Sequence, residues 1–521
     1  MTDPLPPPAM PPPARRARLG RWAIVGWFAA LLALPPVLLA AGVRPGRVEN
    51  RPLAPAPRPA AGRLLDTALY AEISAWFTDR LPGRDRVIAA DAWMDFHLLG
   101  ESPDAQVLVG GDGWLYFREG VQADCVDEEV IRAAVDEVGL AGRVLAAAGK
   151  ELVLVVAPNK EAIYPEHLGG HSGETGCADA NRAAWRALIP TAGLAGYLDT
   201  WGILSEAKAT APGLLYHRLD THWTSLGSGV VAEAILENLA PGLWEPEAFV
   251  LGESEERRGD LSGLIGLPLS EMADYWAVRR EAAPATSSEP LGGGVKAVIS
   301  TVAGIPTTGS RGLVLHDSTG RALVRHLRPY FDSLTTVRFP GNTAFGGGTP
   351  WLAPRLQSAD VLVLVSVERA LLSRLTGDFP AALVGALAEV LPHREILLES
   401  SLTGPSFGTR WEEAGGEVVT TGESRGAIVL SDLGAGPPGG VRYLVVDVVA
   451  PRRTEVRLTR SASGAPEAEA PSQVVAQGEA RVVLPLPGSA DPGMPALRLG
   501  AGEGLRVKRI LVVEIPAGGA G

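Results

Sequence analysis

Two short segments of the chain carry residue types that could transfer acyl groups. Asp220 and His222 stand two residues apart in the word Asp-Thr-His-Trp, and Ser318 lies far downstream in the word His-Asp-Ser-Thr. A serine hydroxyl is a weak nucleophile until a base takes its proton, and a histidine base needs a carboxylate to fix its tautomer. If the two segments meet in the fold, the sequence predicts an Asp-His-Ser relay.

Each segment also has a plainer interpretation. Ser318 follows the apolar strand 312–315 and precedes a helix, where open α/β sheets build their sites and a helix N-terminus offers N–H groups to an oxyanion. The same serine could simply cap that helix. Likewise His222 and Trp223 could pack at a helix start, with Asp220 satisfying backbone donors.

The elements around these segments alternate between apolar strands and amphipathic helices. This alternation predicts a three-layer α/β domain, over 63–400, in which helices cover both faces of a sheet. The predicted strands are 106–109, 114–117, 151–157, 197–199, 312–315, 336–339, 361–367 and 395–398, and the main helices are 130–148, 180–189, 225–239, 320–331 and 381–391.

The pattern changes after about residue 424. Short apolar stretches separated by Gly, Pro and Ser predict an all-β sandwich over 425–521, resembling a carbohydrate-binding module. The strands expected there are 427–431, 441–449, 454–459, 481–485 and 507–515.

Composition limits the classes of function. At 521 residues, the chain is long enough for two or three folded units. A hydrophobic content of 46% with 20% charged residues is typical of globular proteins. The net charge of −12 argues against non-specific binding of nucleic acid.

The N-terminal region predicts export. Residues 1–21 are Pro-rich and basic, which predicts a disordered cytoplasmic tail, and 22–43 is uncharged and long enough for a single-pass anchor in the bacterial inner membrane. A Pro/Ala/Arg linker over 44–62 follows. A signal peptide cleaved near 39–41 is the alternative, and both interpretations place the body of the protein in the periplasm or outside the cell.

Cys125 and Cys177 are the only two cysteines. In an oxidising compartment, we expect them to form a disulfide rather than remain two free thiols. The chain has no Cys-x-x-Cys word, so we expect no metal site.

Several further words occur in a definite order along 47–400. Together with the two segments above, they resemble the alginate O-acetyltransferase AlgJ/AlgX-like family of SGNH-fold enzymes. The words are Glu-Asn-Arg-Pro-Leu-Ala at 49–54, Trp-Phe-x-Asp-Arg-Leu-Pro-x-Arg-Asp at 76–85, Gly-Asp-Gly-Trp-Leu-Tyr at 111–116, Lys-x-x-Ile-Tyr-Pro-Glu at 160–166, Gly-Asp-Leu at 259–261 and Val-Glu-Arg at 367–369.

The resemblance implies an SGNH-like fold and a set of roles. Ser318 would be the nucleophile, His222 the general base and Asp220 its orienting partner. The acceptor would be a hydroxyl of an exported or cell-surface polysaccharide, alginate being the family's example. A membrane-bound O-acyltransferase would supply the acetyl group, and no cofactor is implied.

The chain departs from the family at one position. The family's nucleophile commonly follows Gly-Asp, whereas His316 and Asp317 precede Ser318 here, and a side chain at 316 crowds a place where glycine allows close backbone approach. Asn342 is a candidate oxyanion donor, although an ordinary loop asparagine would look the same.

Three residues are candidates for substrate contact: Trp223, Tyr164 and Arg321. The plainer alternatives are a place in the aromatic core for the two rings and a solvated helix face for the arginine.

Two other functions fit the same sequence, and the first uses the same residues. An acetylesterase would hydrolyse the acetyl group instead of transferring it. A non-catalytic polysaccharide-binding or export scaffold would carry a decayed site, marked by His316.

Overall fold

The computed structural model of the chain describes most of the two predicted folded units. The described residues are 15–43, 53–58, 62, 66–267, 269–338, 351–376, 379–396, 410–414, 417–421, 426–430, 439–460, 471–486, 497–501 and 505–517.

Three helices begin the described chain: α1 (Arg15–Ala40), α2 (Thr67–Asp79) and α3 (Arg84–Met94). Helix α1 starts inside the tail predicted to be disordered and covers most of the predicted span 22–43. Among the helices described, none has the length and apolar character required to cross a bilayer. The transmembrane anchor stays a prediction.

Strands and helices then alternate as the sequence predicts. The first half contains β1 (Val107–Val109), β2 (Leu115–Phe117), α4 (Arg118–Val121), α5 (Glu128–Ala147), β3 (Glu151–Ala157), α6 (Lys160–Ile163), α7 (Gly176–Leu188), β4 (Gly196–Tyr197), α8 (Thr200–Lys208) and α9 (Ser225–Leu239). The second half contains β5 (Phe249–Arg258), α10 (Asp260–Leu264), β6 (Ser270–Val278), β7 (Ala285–Gly292), β8 (Val295–Thr301), β9 (Arg311–His316), α11 (Gly320–Leu327), β10 (Ser333–Arg338), α12 (Leu352–Ser358), β11 (Val361–Val367), α13 (Leu371–Leu375) and α14 (Phe379–Leu387).

A seven-stranded sheet in the order β4-β3-β11-β9-β10-β8-β7 forms the middle layer. Neighbours from β4 to β10 run parallel, whereas β8 and β7 extend the edge in antiparallel pairs. Successive strand residues point to opposite faces. Leu152, Leu154 and Leu364 accordingly join the core beneath α5 and α14, while Val153 and Val363 join the core beneath α9 and α11. The predicted three-layer α/β domain is confirmed.

The insertion between His222 and Ser318 holds strands that the sequence pattern does not predict. Strands β5 and β6 pair as a hairpin, and β7 and β8 complete the sheet edge. The hairpin strand β5 ends in Glu-Ser-Glu-Glu-Arg-Arg and is largely exposed. A strand that buries neither face has no apolar alternation to reveal it.

The C-terminal strands form two antiparallel sheets. They are β12 (His393–Ile396), β13 (Arg410–Ala414), β14 (Glu417–Thr421), β15 (Gly426–Leu430), β16 (Val441–Ala450), β17 (Thr454–Arg460), β18 (Ser472–Val475), β19 (Gly478–Leu486), β20 (Leu497–Ala501) and β21 (Arg506–Ile515). One sheet runs β13-β14-β21-β16-β19, with β12 also pairing β21, and the other runs β15-β20-β17-β18. A buried cluster containing Val446, Leu458 and Val512 lies between them, as in a sandwich.

The two units share buried surface. Strand β12 lies in the range predicted for the α/β domain, yet it pairs with β21 of the C-terminal sheet. Tyr443, Val445 and Leu511 from that sheet belong to the same apolar cluster as helices α5 and α14. The outer face of the C-terminal sheet is therefore covered by the α/β domain.

Candidate active site

Ser318 lies at the carboxyl edge of the central sheet, directly after β9. The carboxylate of Asp317 fixes this turn: its Oδ1 accepts from Thr319 N at 2.9 Å and its Oδ2 accepts from Val367 N, at the end of β11, at 2.8 Å. Asp317 is buried, whereas Ser318 is half-buried. The neighbouring aspartate thus anchors the turn and leaves the serine within reach of solvent.

Asp220 and His222 form the hydrogen-bonded pair that the sequence predicts. They lie in a tight loop closed by a bridge between Tyr216 and Trp223 and by His217 N donating to His222 O at 3.2 Å. Asp220 Oδ1 lies 2.6 Å from His222 Nδ1 and also accepts from His222 N at 3.0 Å. Because a carboxylate accepts, this contact places a proton on Nδ1, pointing at Asp220, and leaves the lone pair of Nε2 available to act as a base.

The carboxylate of Asp220 is held ionised. Burial by itself would raise its pKa, but the hydrogen bond and charge of His222, together with Arg257, hold the pKa of Asp220 well below its ordinary value. Asp220 is 2% exposed, and the His222 side chain is 24% exposed. The pair therefore joins a buried carboxylate with a lowered pKa to an accessible imidazole.

One hydrogen bond links the two chemistry-bearing segments. Trp223 Nε1, next to His222, donates to Thr319 O, next to Ser318, at 2.9 Å. Long-range folding thus brings the aspartate–histidine loop to the serine turn. Among the contacts of the described residues, none is a direct hydrogen bond between Ser318 Oγ and His222.

Two further side chains reach the pair from the insertion, and the sequence pattern predicts no role for either. Arg257, in β5, donates to Asp220 Oδ2 at 2.5 Å, and Asp260 Oδ2, in α10, lies 3.4 Å from His222 Nδ1. In the sequence, Asp260 stands out only as part of the Gly-Asp-Leu word. No local spacing could signal these contacts, because nearly forty positions separate the residues.

A buried lysine supports the loop from beneath. Lys160 is 3% exposed, and its ammonium donates to the backbone carbonyls of His217, Arg218 and Asp220 at 3.0, 2.9 and 2.8 Å. Burial lowers the pKa of Lys160 to about 7. Three carbonyls of one loop therefore converge on a single side chain.

The side chain of His316, at the end of β9, is buried beside the serine turn. Its ring is 6% exposed, and Nδ1 donates to Asp317 O at 2.6 Å. Burial lowers the pKa of His316, so the ring is neutral near pH 7. A Cβ at Gly320 would lie 2.5 Å from His316 Cβ. The ring therefore packs against the start of α11, where Gly320 leaves room for it.

The other predicted site residues have different surroundings. Trp223 and Tyr164 are 1% and 4% exposed, and the Tyr164 hydroxyl accepts from Leu215 N at 2.9 Å, so both rings lie in the core, as the plainer alternative had it. Arg321 is exposed on α11. Asn342 lies outside the described residues.

The pair and Asp260 together resemble a metal-ligand set. Ligand atoms of Asp220, His222 and Asp260 lie within 4.8 Å of one another. However, all four carboxylate oxygens already accept hydrogen bonds, from His222, Arg257 and Thr221. These oxygens are therefore already engaged by donors of the protein itself.

The predicted disulfide between Cys125 and Cys177 is present. It ties the segment before α5 to the start of α7, with the two Cα atoms 4.7 Å apart. The bridge lies outside the contacts of the Asp220–His222 pair.

Comparison with known proteins points to one family. Residues 107–296 match the family described as an SGNH hydrolase-like domain, acetyltransferase AlgX. The predicted resemblance to the AlgJ/AlgX family is confirmed. The matched segment contains Asp220, His222 and Asp260 and ends before Ser318, so the role of the serine depends on its position in this fold.

Individual relatives match only part of the chain. The probable alginate O-acetylase AlgJ of Pseudomonas syringae pv. tomato is 32% identical over 39% of this chain and 51% of its own length. The chain thus spans about half the length of the curated relatives it matches. Among solved structures, the O-acetyltransferase domain of Pseudomonas putida AlgJ is 20% identical, with a TM-score of 0.37, over 53% of this chain and 98% of its own. Pseudomonas aeruginosa AlgX is 16% identical, with a TM-score of 0.42, over 78% and 94%.

Proposed function

We propose that this protein is an O-acetyltransferase that carries an acetyl group on Ser318 and passes it to a hydroxyl of an exported polysaccharide. The hydrogen bond from Trp223 Nε1 to Thr319 O carries the proposal, because it joins the residues that follow His222 and Ser318. The curated relatives, named probable alginate O-acetylases, support the acetyl group and the polysaccharide acceptor.

The mechanism has two steps. In the first, His222 Nε2 takes the Ser318 hydroxyl proton as Oγ attacks the acetyl carbonyl, and the tetrahedral intermediate expels the donor's oxygen, which leaves with that proton. In the second, His222 takes the proton of a sugar hydroxyl as its oxygen attacks the acetyl-serine. Ser318 Oγ then departs and regains a proton from His222. Asp220 stabilises the imidazolium in both steps.

The partners and the compartment follow from the same chemistry. We propose a membrane-bound O-acyltransferase as the source of the acetyl group and a site of action in the bacterial periplasm. The Cys125–Cys177 disulfide supports this location, because disulfides persist in oxidising compartments. For the C-terminal sandwich, we propose a role in holding the polysaccharide acceptor.

The test is acetylation of the protein by an activated acetyl ester, located by peptide mass spectrometry. We expect one acetyl group on Ser318, at least tenfold less of it in His222→Ala, and none at this position in Ser318→Ala. Ser373→Ala, which removes an exposed hydroxyl on α13, is the matched control and should acetylate normally.

The products separate the rival functions. Transfer predicts acetylated oligosaccharide when a polysaccharide fragment is added, whereas an esterase releases only acetate. If a folded protein acquires no acetyl group on Ser318, the enzyme proposal is wrong and the binding scaffold is preferred.

A further inference from the structure

We propose that Asp260 is a positioning residue for His222, supplying a second carboxylate that offsets the neutralisation of Asp220 by Arg257. This inference rests on the proposed function, since it concerns the base of that site. It assigns to the insertion a direct part in controlling the basicity of the imidazole.

The position of Asp260 is fixed by neutral donors. Its Oδ1 accepts from Thr221 N at 2.8 Å and its Oδ2 accepts from Thr221 Oγ1 at 2.6 Å. The same Oδ2 lies 3.4 Å from His222 Nδ1. These contacts aim the carboxylate at the imidazole, and within the described part of the chain its one ion pair is with His222, although Lys160 also interacts with its charge at longer range.

Asp220 is in the opposite situation. Its Oδ1 faces His222, but its Oδ2 accepts from the Arg257 guanidinium at 2.5 Å and from Asp260 N at 3.3 Å. The guanidinium cancels much of the negative charge that the imidazolium would otherwise experience. When His222 accepts the serine proton, Asp260 is therefore the second carboxylate available at Nδ1.

Other charged groups face the same loop. Lys160 approaches from α6 and bonds to the carbonyl of Asp220, while His217 and Arg218 belong to the loop itself. Glu271, from β6, accepts from the backbone N–H groups of Arg218 and Leu219. Beyond the effect of burial, Asp260 raises the pKa of Lys160 and Arg257 lowers the pKa of His217, so the sign of the His222 shift, rather than its size, reports on the altered side chain.

The experiment is an NMR titration of the His222 ring, in protein carrying Ser318→Ala so that no acetylation occurs. The His222 signal is identified by its loss in His222→Gln. We expect Asp260→Asn to move the titration midpoint to lower pH by about one unit, because the variant removes a negative charge beside the imidazole. One unit corresponds to about 1.4 kcal/mol of charge interaction. Arg257→Met should move it to higher pH, and the double variant should return near the parent.

The matched controls come from the same hairpin. Arg258→Met removes a positive charge and Asp274→Asn removes a negative charge, and neither side chain contacts His222. Both variants should leave the midpoint unchanged. A purely structural role would not produce shifts of opposite sign. Equal or absent shifts in Asp260→Asn and Arg257→Met would overturn the proposal.

Activity gives an independent measurement. In protein with Ser318 intact, the acid limb of the Ser318 acetylation rate should move with the NMR midpoint in each variant. If Ser318 never acetylates but the opposite shifts occur, the proposed function fails and the role of Asp260 stands. If acetylation proceeds but neither the acid limb of its rate nor the NMR midpoint shifts in Asp260→Asn, this inference alone fails.

Discussion

At the scale of residues, the candidate site is a charged loop assembled from several directions. Asp220 contacts His222 on one oxygen and Arg257 on the other, and Lys160 binds the loop's carbonyls from below. A carboxylate, an imidazole and a serine are enough to suggest acyl transfer. The side chains that hold them in place come from distant parts of the chain.

Replacing Lys160 tests how far this support matters. Lys160→Met removes a buried charge, which is costly to bury, but leaves the carbonyls of His217, Arg218 and Asp220 without their donor. These effects oppose each other in global stability, so we expect a change within about 2 kcal/mol in the free energy of unfolding. Acetylation of Ser318 should fall at least tenfold, because the loop loses its anchor.

The control for this prediction is Lys208→Met. Lys208 also donates to a carbonyl, that of Ile163, and lies 4.3 Å from the centre of the Tyr164 ring, but it does not bind the loop. Chemical denaturation and the mass-spectrometric assay measure the two effects separately. Equal acetylation by Lys160→Met and the parent protein would show that the lysine does not position the loop.

At the scale of elements, the insertion is a structural partner of the Asp220–His222 loop. Hairpin β5–β6 brings Arg257 and Glu271 to the loop, and α10 brings Asp260. Gly259 joins β5 to α10, and a Cβ there would lie 1.8 Å from Leu219 O. Only a glycine permits this approach of the insertion to the loop.

We therefore expect Gly259→Ala to damage both stability and activity. Overpacking of this kind costs about 1–3 kcal/mol, and the displaced Leu219 carbonyl lies next to Asp220. Thermal unfolding should show a lower Tm, and Ser318 acetylation should decrease several-fold.

Gly263→Ala is the matched control, since a Cβ at that position in α10 meets no atom within 4 Å. Alanine also favours a helix over glycine, so this variant should be neutral or slightly more stable. A Gly259→Ala protein as stable and active as Gly263→Ala would contradict the close approach.

At the scale of the whole molecule, the α/β domain and the C-terminal sandwich are joined by a buried face and an ion network. Glu389, after α14, accepts from Arg481 in β19 at 3.0 Å and from Arg509 in β21. Asp447 in β16 binds both arginines as well. The sandwich is thus held in one orientation on the domain that contains the site.

Glu389→Gln tests this connection. The amide preserves shape but loses the charge that both arginines contact, and a partly exposed network of this kind contributes about 1 kcal/mol. We expect the urea midpoint to fall and the loss to shrink at high salt, because salt screens exposed charges. Glu253→Gln, on exposed β5, should leave the midpoint unchanged. If Glu389→Gln and the parent protein have the same urea midpoint at both low and high salt, apolar packing alone joins the units.

The sequence by itself determined the three-layer domain, the C-terminal β-strands, the disulfide and the Asp220–His222 pair. Continuous apolar strands such as 151–157 and 361–367 predict a buried parallel sheet. The two-residue spacing of Asp220 and His222 is short enough for them to meet without any long-range contact. Tertiary structure alone decided that Trp223 meets Thr319, that Arg257 and Asp260 reach the pair, and that β12 joins the C-terminal sheet. Those contacts join residues far apart in the chain, and the polar hairpin β5–β6 carries no periodic pattern that would reveal where it packs.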